Sequence, residues 1–465
     1  MNKLMLTTGV VAMAFAAWAN EFDAVVVSGT TDRANPVGYR VGDEITFTFG
    51  FDPCPAALTN GTCRFSWRLR ADGVKGEECG AIPLDGRPLQ LKTKAAHPGF
   101  VMVEARVVDA ANRPIRRDCA AAGAPGWEGG SNELFFYGAA GVDLEQLVQA
   151  HPEPEDFDRF WARQKARLAA VPMQAKVTPV ESPDGAPYEL ALVKVDCAGP
   201  RPCFGWLMKP RKAAKGSLKV TLEVHGYGAW NRQGKPSADA YRPDRVFLAM
   251  NAHGCDPTLP DAYYDAFRDG VRTPRYDYAF SPYQNEYPEG CYFNGMALRV
   301  IRAVEFLKTL PEWNGTDVEV EGGSQGGLQT MWAAALADGV TVARPSVPWC
   351  CDFGADAVQR IVADWRIPYT DALRYYDAVN MAKRAKCRVE ITRAGLGDTC
   401  CVPSTIAVLY NALPADRRSI VWVQGSRHGY VPPVASQSIE LPSGKTVEVK
   451  LGNAVYTGRA LPESN

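Results

Sequence analysis

The run V-E-V-E-G-G-S-Q-G-G-L-Q-T-M-W-A-A-A-L-A at residues 318–337 joins two kinds of hydrophobic pattern. Val318 and Val320 alternate with glutamates, which predicts a strand. Leu328 and Trp332 begin an apolar spacing of three and four residues, which predicts a helix. The segment between these two patterns is short, so the chain must reverse sharply from the strand into the helix.

That segment is G-G-S-Q-G-G, residues 322–327, with Ser324 among four glycines. Glycine suits such a turn because it tolerates positive φ and a close approach of neighbouring backbone. One interpretation is a glycine-rich turn that cradles phosphate. The other is a nucleophile elbow, Gly-x-Ser-x-Gly, which exposes the serine hydroxyl above a sheet. The residues that could act with Ser324 must decide between them.

Composition limits the class of protein. The chain has 465 residues, of which 46% are hydrophobic and 22% charged, so it predicts a globular protein of two or three domains. Its formal net charge of -1 gives no reason to propose nucleic acid or a charged membrane surface as a partner.

The first residues combine a lysine, a short apolar run and the sequence Ala17-Trp18-Ala19. This pattern is typical of a cleaved signal peptide over residues 1–19. No later run is apolar enough to span a bilayer. The sequence therefore predicts a secreted or periplasmic protein without a membrane span.

Thirteen cysteines agree with an oxidising compartment, and the odd number leaves at least one of them outside an intrachain disulfide. Cys197 and Cys203 flank a short loop between two strand-like runs, so we predict that they form a disulfide. Cys54 with Cys63 is the second predicted pair.

Two cysteine doublets stand at residues 350–351 and 400–401. They lack the two-residue spacer of zinc knuckles, and the chain has five histidines in all. We therefore predict structural cysteines, no metal site and no cofactor.

Residues 20–138 contain short alternating runs separated by turns, which predicts an immunoglobulin-like β-sandwich with Trp67 as its core tryptophan. A linker is predicted at residues 139–151. From 152 to 465 strand-like and helix-like runs alternate, and an amphipathic helix is predicted at 156–168. This alternation predicts an α/β domain with a doubly wound, mostly parallel sheet.

A serine hydroxyl needs a general base, and the base needs an orienting carboxylate. In this type of sheet the chain order is serine, acid, histidine. His428 follows a strand and is the one histidine after Ser324. Asp398 also follows a strand, so we predict a triad of Ser324, Asp398 and His428. The rival acids are Asp352, Asp371 and Asp377.

Donors to an oxyanion are expected from the elbow and from the loop after an early strand. The backbone N–H groups of Gln325 and Tyr227 fit these two places. His225 precedes Tyr227 and also precedes Ser324 in the chain. We therefore predict a structural role for His225 and not that of the general base.

Several segments together resemble one known family: P-E-D-F-D-R-F-W, H-G-Y, G-G-S-Q-G-G and the long run at residues 373–413. Over residues 152–432 the chain is similar to the acetyl xylan esterase and cephalosporin-C deacetylase family, carbohydrate esterase family seven. The resemblance implies an α/β-hydrolase fold, the triad and oxyanion donors named above, and no metal cofactor. It also implies a small acyl pocket suited to acetate esters of sugars.

Two positions depart from the family pattern. Asn251-Ala252-His253-Gly254 stands where the family carries Arg-Gly-Gln, and Gly429 follows His428 where the family has glutamate. Neither change removes a member of the predicted triad. Both bear on substrate preference and on the family's ring-like hexamer, so a homo-oligomer is left open.

We therefore expect a secreted serine esterase that deacetylates O-acetylated oligo- or polysaccharides. A serine peptidase of the prolyl-oligopeptidase type is the first alternative, because its elbow has a similar glycine pattern. A carbohydrate-binding protein with an inactive hydrolase domain is the second. The intact order of serine, acid and histidine argues against the second alternative.

Overall fold

The computed structural model describes residues 21–117, 132–229 and 234–432, and the two strands at 435–440 and 446–451. The predicted signal peptide at 1–19 and Cys119 lie outside the described residues. Within them, no helix combines the length and the apolar character needed to cross a bilayer.

The N-terminal part of the chain forms two antiparallel sheets. Its strands are β1 (Val26–Thr31), β2 (Glu44–Asp52), β3 (Arg64–Ala71), β4 (Glu78–Pro83), β5 (Leu89–Lys94), β6 (Gly99–Val108) and β7 (Phe135–Val142). One sheet has the order β1-β2-β5 and the other β4-β3-β6-β7. We call these strands the two-sheet unit. Its last strand runs into the predicted linker that begins at residue 139.

Alternation decides which side chains of the two-sheet unit are buried. Phe47 and Phe49 on β2 point inward, and the ring of Phe49 lies 4.8 Å from that of Phe65 and 5.5 Å from that of Phe136. Side chains of both sheets therefore share one apolar cluster. Trp67, predicted as the core tryptophan, is only partly buried and packs against the edge of this cluster.

The rest of the chain builds a sheet of eleven strands with the order β18-β17-β16-β15-β14-β13-β11-β12-β10-β9-β8. These strands are β8 (Ala175–Val180), β9 (Tyr188–Val195), β10 (Cys203–Pro210), β11 (Leu218–Val224), β12 (Arg245–Asn251), β13 (Trp313–Gly323), β14 (Val342–Ser346), β15 (Arg388–Gly395), β16 (Arg418–Val423), β17 (Ala435–Glu440) and β18 (Thr446–Leu451). From β12 to β16 neighbouring strands run parallel, and the outer strands are antiparallel.

Helices cover this sheet. They are α2 (Phe157–Ala169), α3 (Asp261–Val271), α4 (Tyr292–Leu307), α5 (Gln325–Leu336), α6 (Ala378–Ala382) and α7 (Pro403–Ala412), whereas α1 (Ala56–Thr59) belongs to the two-sheet unit. Short 3-10 turns lie at Leu144–Gln146, Ala238–Ala240, Pro288–Gly290, Ala355–Val358, Asp371–Tyr375 and Ala415–Arg417. The amphipathic helix predicted at 156–168 is α2, and its apolar face is buried as predicted.

Both predicted disulfides are wrong, and no two of the described cysteines are bonded. Val195 is the residue opposite Cys203 in the β9–β10 register, so Cys197 lies beyond the paired strands. A disulfide needs Cα atoms about 4.4–6.8 Å apart and converging Cβ atoms. Cys63 is buried with its thiol toward the carbonyl of Ala57, whereas Cys54 is exposed.

Strand β7 of the two-sheet unit packs on the loops that follow β15 and β16. The Gln424 side chain donates to the carbonyl of Ala139 at 2.9 Å and accepts its N–H at 3.0 Å. The Arg427 guanidinium lies 4.3 Å from the centre of the Phe135 ring. Gly397, after β15, lies directly on the backbone of Tyr137. The two-sheet unit therefore supports two loops at the carboxyl edge of the parallel strands.

A second contact runs through a buried carboxylate. Asp72, just after β3, accepts the backbone N–H of Phe100 at 2.8 Å and that of Ile361 at 2.6 Å. Because Ile361 belongs to the segment after β14, this carboxylate joins the two-sheet unit to that segment. Both ends are buried, and such hydrogen bonds to a charged acceptor are stronger than neutral ones.

Gly397→Ala should destabilise the protein, because a Cβ there would meet the carbonyl oxygen of Tyr137 at 2.1 Å. We expect the free energy of unfolding to fall by about 1–3 kcal/mol. Gly270→Ala is the matched control, since its Cβ would meet nothing within 4 Å on helix α3. Urea unfolding measures both, and equal midpoints for the two variants would contradict the close packing of β7 on this loop.

Candidate active site

Ser324 lies between the end of β13 and the start of α5, in the strand–turn–helix geometry of an elbow. Its φ is 59°, which L side chains rarely adopt. Two backbone hydrogen bonds hold it: its N–H donates to the carbonyl of Ser346 at 2.9 Å, and its carbonyl accepts from Trp349 at 3.1 Å. Such strain persists where the surrounding structure imposes it.

The flanking glycines are required by space. A Cβ at Gly322 would lie 2.5 Å from the carbonyl oxygen of Val224, and one at Gly326 would lie 2.3 Å from it. A Cβ at Gly327 would meet Pro348 at 2.8 Å. The turn therefore sits directly on the end of β11, and glycine is the residue that permits this approach.

Asp398 and His428 meet at the ends of β15 and β16. The Oδ2 of Asp398 lies 3.0 Å from Nδ1 of His428. The other oxygen, Oδ1, accepts the backbone N–H groups of Cys400 and Cys401, each at 2.8 Å. Asp398 is completely buried, so its two oxygens are held by the turn that follows it and by the imidazole.

The protonation of His428 depends on this contact. Burial disfavours the imidazolium, but the hydrogen bond and the negative charge of Asp398 outweigh that effect and raise the pKa of His428 above its ordinary value. The carbonyl of His428 accepts from the guanidinium of Arg393 at 2.9 Å, which anchors the backbone. Nδ1 is engaged by Asp398, so Nε2 is the nitrogen left for chemistry.

The rival aspartates have other partners. Asp377 accepts the backbone N–H groups of Asp352 and Phe353 at 3.0 and 2.8 Å. Asp352 accepts from Arg360 at 3.1 Å. Asp371 is exposed and accepts the hydroxyl of its neighbour Tyr369 at 2.8 Å. Asp352 and Asp377 stabilise the chain after the elbow helix, and the His428 contact belongs to Asp398.

Tyr278, which the sequence did not single out, joins the two elements that carry the predicted oxyanion donors. The Tyr278 hydroxyl accepts the N–H of Gly228 at 2.9 Å and donates to Oε1 of Gln325 at 2.8 Å. Its ring stacks on that of Tyr227 with centroids 4.3 Å apart. Tyr278 therefore ties the loop after β11 to the first residue of α5. Its segment is irregular, so no periodic pattern marks it.

Two histidines support the same loop. Nε2 of His225 accepts the N–H of Ala252 at 3.0 Å, in line with its predicted structural role. His253, in the segment that departs from the family pattern, is fully buried, and burial holds its pKa well below the ordinary value. Its Nε2 contacts the carbonyl of Gly228 at 2.9 Å and its Nδ1 the Tyr292 hydroxyl at 2.8 Å. A neutral imidazole makes both bonds.

A pocket of about 180 Å³ adjoins this centre. Trp349, Cys400 and Cys401 line it, together with residues of the segment 352–369. Trp349 is hydrogen-bonded to Ser324, and the two cysteines border Asp398. A larger concavity of about 870 Å³ lies along the outer strands, and none of the five predicted site residues lines either of these two pockets.

An aromatic wall stands beside the loop after β11. The Trp365 ring lies 4.9 Å from that of Tyr227, 5.1 Å from that of Trp349 and 5.0 Å from that of Phe280. Trp365 nevertheless stays 41% exposed. It presents an apolar ring to solvent at the predicted oxyanion residue.

One cluster among the described residues has donor atoms placed for a metal ion: Cys400, Cys401 and His428, all within 4.8 Å of one another. The sequence predicted structural cysteines and no metal here, because the doublet lacks the two-residue spacer of zinc knuckles and the chain has five histidines. Nδ1 of His428 faces Asp398, so a metal would take Nε2. Binding of a metal and action of His428 as a base therefore exclude each other.

The parallel strands and the serine turn between β13 and α5 define the α/β-hydrolase class. An acetyl xylan esterase from Thermoanaerobacterium sp. JW/SL YS485 has the same fold. It is 22% identical, with a TM-score of 0.50, over 61% of this chain and 92% of that chain. The family model described as Acetyl xylan esterase (AXE1) matches residues 141–371 and 367–441. The chain belongs to the acetyl xylan esterase family.

Two further relatives are similar over the same part of the chain. Acetyl esterase Axe7A of Xylanibacter ruminicola is 27% identical over 292 residues, which are 60% of this chain and 65% of that relative. This chain thus spans just under two thirds of the relative's length. An acetyl xylan esterase from Paenibacillus sp. R4 is 25% identical, with a TM-score of 0.49, over 61% of this chain and 93% of that one.

Asp398→Asn should lower the pKa of His428, because the substitution removes the negative charge that favours the imidazolium. The neutral imidazole would then persist to lower pH than in the unchanged protein. NMR titration of the His428 ring measures this directly. Asp371→Asn removes an exposed charge elsewhere and should leave the titration as it was. An unchanged pKa in Asp398→Asn would contradict the coupling.

Proposed function

We propose that the protein is a serine esterase that removes acetyl groups from O-acetylated carbohydrates. The observation that carries this proposal is the 3.0 Å contact of Asp398 with His428, on loops of the same sheet that carries the Ser324 elbow. Family membership supports the reaction class. The names of the relatives, acetyl esterase and acetyl xylan esterase, favour an acetyl ester of a sugar as substrate.

In the proposed reaction Ser324 Oγ attacks the acetyl carbonyl carbon while His428 Nε2 takes the Oγ proton. The N–H groups of Tyr227 and Gln325 stabilise the negative carbonyl oxygen. The bond to the sugar oxygen then breaks, and the sugar hydroxyl leaves with the proton from His428. Water attacks the acetyl-serine, His428 again accepts a proton, and acetate is released. Asp398 orients the imidazole and stabilises its charged form.

This mechanism needs His428 in its neutral form before the attack. Since Asp398 raises the pKa of His428, the rate should rise with pH through that raised value. The charged imidazole that forms during the attack is stabilised by the same contact. The contact therefore shifts the acid limb of the pH–rate profile to higher pH. It also makes His428 a better proton acceptor.

The surroundings of the centre support a sugar ester. The pocket of about 180 Å³ beside Trp349 leaves room for a small acyl group or one sugar ring. Trp365 offers an exposed ring beside Tyr227, and an aromatic face of this kind suits the apolar face of a pyranose. We propose that Trp365 stacks on the sugar that carries the acetyl group.

We also propose that the protein is exported and that the two-sheet unit is an immunoglobulin-like sandwich. Export rests on the apolar N-terminal run that ends in Ala17-Trp18-Ala19. The sandwich proposal rests on the two antiparallel sheets, which share one apolar cluster.

Ser324→Ala should abolish release of acetate from acetylated xylo-oligosaccharide and from an aryl acetate. Without the nucleophile we expect kcat to fall by at least about 10⁴-fold. Ser346→Ala is the matched control, because Ser346 serves the elbow through its backbone carbonyl. Acetate release is measured with both substrates, and a peptide amide substrate is tested alongside.

Equal rates for the unchanged protein and Ser324→Ala would overturn the proposed nucleophile. Cleavage of the amide at a rate comparable with the ester would favour the peptidase alternative. Cleavage of the aryl acetate alone would keep the esterase and remove the carbohydrate from the proposal.

Trp365→Ala should raise KM for acetylated xylo-oligosaccharide by about 3- to 10-fold, the value of one aromatic contact. KM for an aryl acetate should change little, because that substrate lacks the sugar. Trp365→Phe should restore much of the difference. Tyr263→Ala is the matched control, since Tyr263 is 39% exposed on α3 and its ring contacts that of Tyr264 instead of Tyr227. Equal losses on both substrates would mean that Trp365 only supports the loop of Tyr227.

A further inference from the structure

A separate pocket of about 550 Å³ opens beside the start of helix α4. None of the five predicted site residues lines it. Four arginines do, at positions 167, 201, 272 and 299, together with one carboxylate, Glu289. Glu289 lies 3.6 Å from Arg163, and Arg272 lies 3.0 Å from Asp269, so both already have partners of opposite charge. The remaining three arginines make the pocket positive.

Arg299 is the unusual member of this group. It is fully buried, and its Nε donates to the carbonyl of Ala252 at 2.8 Å. Its two terminal nitrogens are also buried, and neither has a hydrogen-bond partner in the described part of the chain. The ionisable groups with the largest effects on it are Tyr292, Arg201 and two cysteine thiols. A buried charge without a counter-charge costs several kcal/mol.

The other two arginines also lack a carboxylate partner among the described residues. Arg201 donates to the carbonyl of His253 and, at 3.3 Å, to the Tyr292 hydroxyl. Arg167 donates to Oδ1 of Asn294 at 2.6 Å. These bonds hold the guanidinium groups in place while their positive charges stay uncompensated.

Gly295 lies against the terminal nitrogens of the buried Arg299 guanidinium. It lies in the first turn of α4 and lines the pocket. A Cβ there would lie 3.4 Å from Nη1 of Arg299 and 3.6 Å from Nη2. A glycine in a helix is destabilising relative to alanine, so its presence here has another reason. Arg299 lines the pocket, and the absence of a side chain at Gly295 leaves space beside its terminal nitrogens, at a helix end that favours negative charge.

We propose that this pocket binds a small oxyanion, a carboxylate or phosphate-type group, on Arg299 with Arg201 and Arg167. Two adjacent N–H donors on a planar guanidinium match such a group. The ligand would supply the counter-charge that Arg299 lacks. Anion binding at this site is inferred without reference to the proposed esterase reaction.

The pocket is connected to the loop of Tyr227. The Tyr292 hydroxyl, which Arg201 contacts, also contacts His253, and His253 contacts the carbonyl of Gly228. Gly228 is next to Tyr227 in the chain. An anion that orders Arg201 therefore acts on a path of three hydrogen bonds that ends beside the predicted oxyanion donor.

Thermal unfolding of the whole protein tests the site with inorganic phosphate and with glucuronate, each against sodium chloride at equal ionic strength. At about ten times its Kd, a bound oxyanion should raise Tm by roughly 1–2 °C in a saturable way. A rise with glucuronate alone would assign the site to a sugar carboxylate, and a rise with phosphate alone to a free tetrahedral anion. No rise with either, or an equal rise with chloride, would overturn the proposal.

Two variants and a control connect the effect to this pocket. Arg299→Met removes the buried charge, and Gly295→Ala places a methyl group against its guanidinium; each should weaken binding at least about tenfold in calorimetric titration. Gly295→Ala replaces glycine by a better helix former, so it serves if Arg299→Met fails to fold. Arg268→Gln removes an exposed charge outside the pocket and should bind as before. Unchanged binding in Gly295→Ala would place the anion elsewhere.

Discussion

The contact of two glycines with the carbonyl of Val224 is the constraint on which the rest of the site depends. Gly322 and Gly326 approach that oxygen to distances that no side chain would allow. Because β11 and β13 are neighbours in the sheet, the approach brings the turn of Ser324 onto the end of β11. The loop of Tyr227 starts at that same end. One backbone contact thus decides where the hydroxyl and the predicted oxyanion donors stand relative to each other.

The opposite side of the site depends on a unit that the fold itself does not require. The solved Thermoanaerobacterium esterase is matched over 92% of its length by 61% of this chain. Here β7 of the two-sheet unit packs on Gly397, one residue before Asp398, and on Arg427, one residue before His428. Packed backbone transmits strain, because interiors are dense. The position of the acid and of the imidazole is therefore coupled to the two-sheet unit.

Burial has opposite consequences for two neighbouring groups. His253 can lose its proton, so burial makes it neutral, and the neutral ring bridges Gly228 and Tyr292. Arg299 cannot lose its proton in the same way, because a guanidinium stays protonated in proteins. Arg299 stays charged within α4, and its terminal nitrogens have no hydrogen-bond partner among the described residues. Burial in the same apolar interior thus leaves His253 neutral and hydrogen-bonded. It leaves Arg299 charged, and we propose that an anion supplies the missing opposite charge.

Local pattern was sufficient for the strand, the serine turn and the helix after it, because periodicity and glycine content act over a few residues. Chain order and strand ends were enough to bring Asp398 and His428 together as predicted. Tyr278 could not be predicted, since its segment is irregular and gains its partners only when β11 and β13 become neighbours. The disulfide at Cys203 failed because strand register is a property of the paired strands. The sequence by itself determined which residues are candidates for the chemistry, and tertiary structure decided which buried groups meet, because burial and long-range contacts exist only in the folded chain.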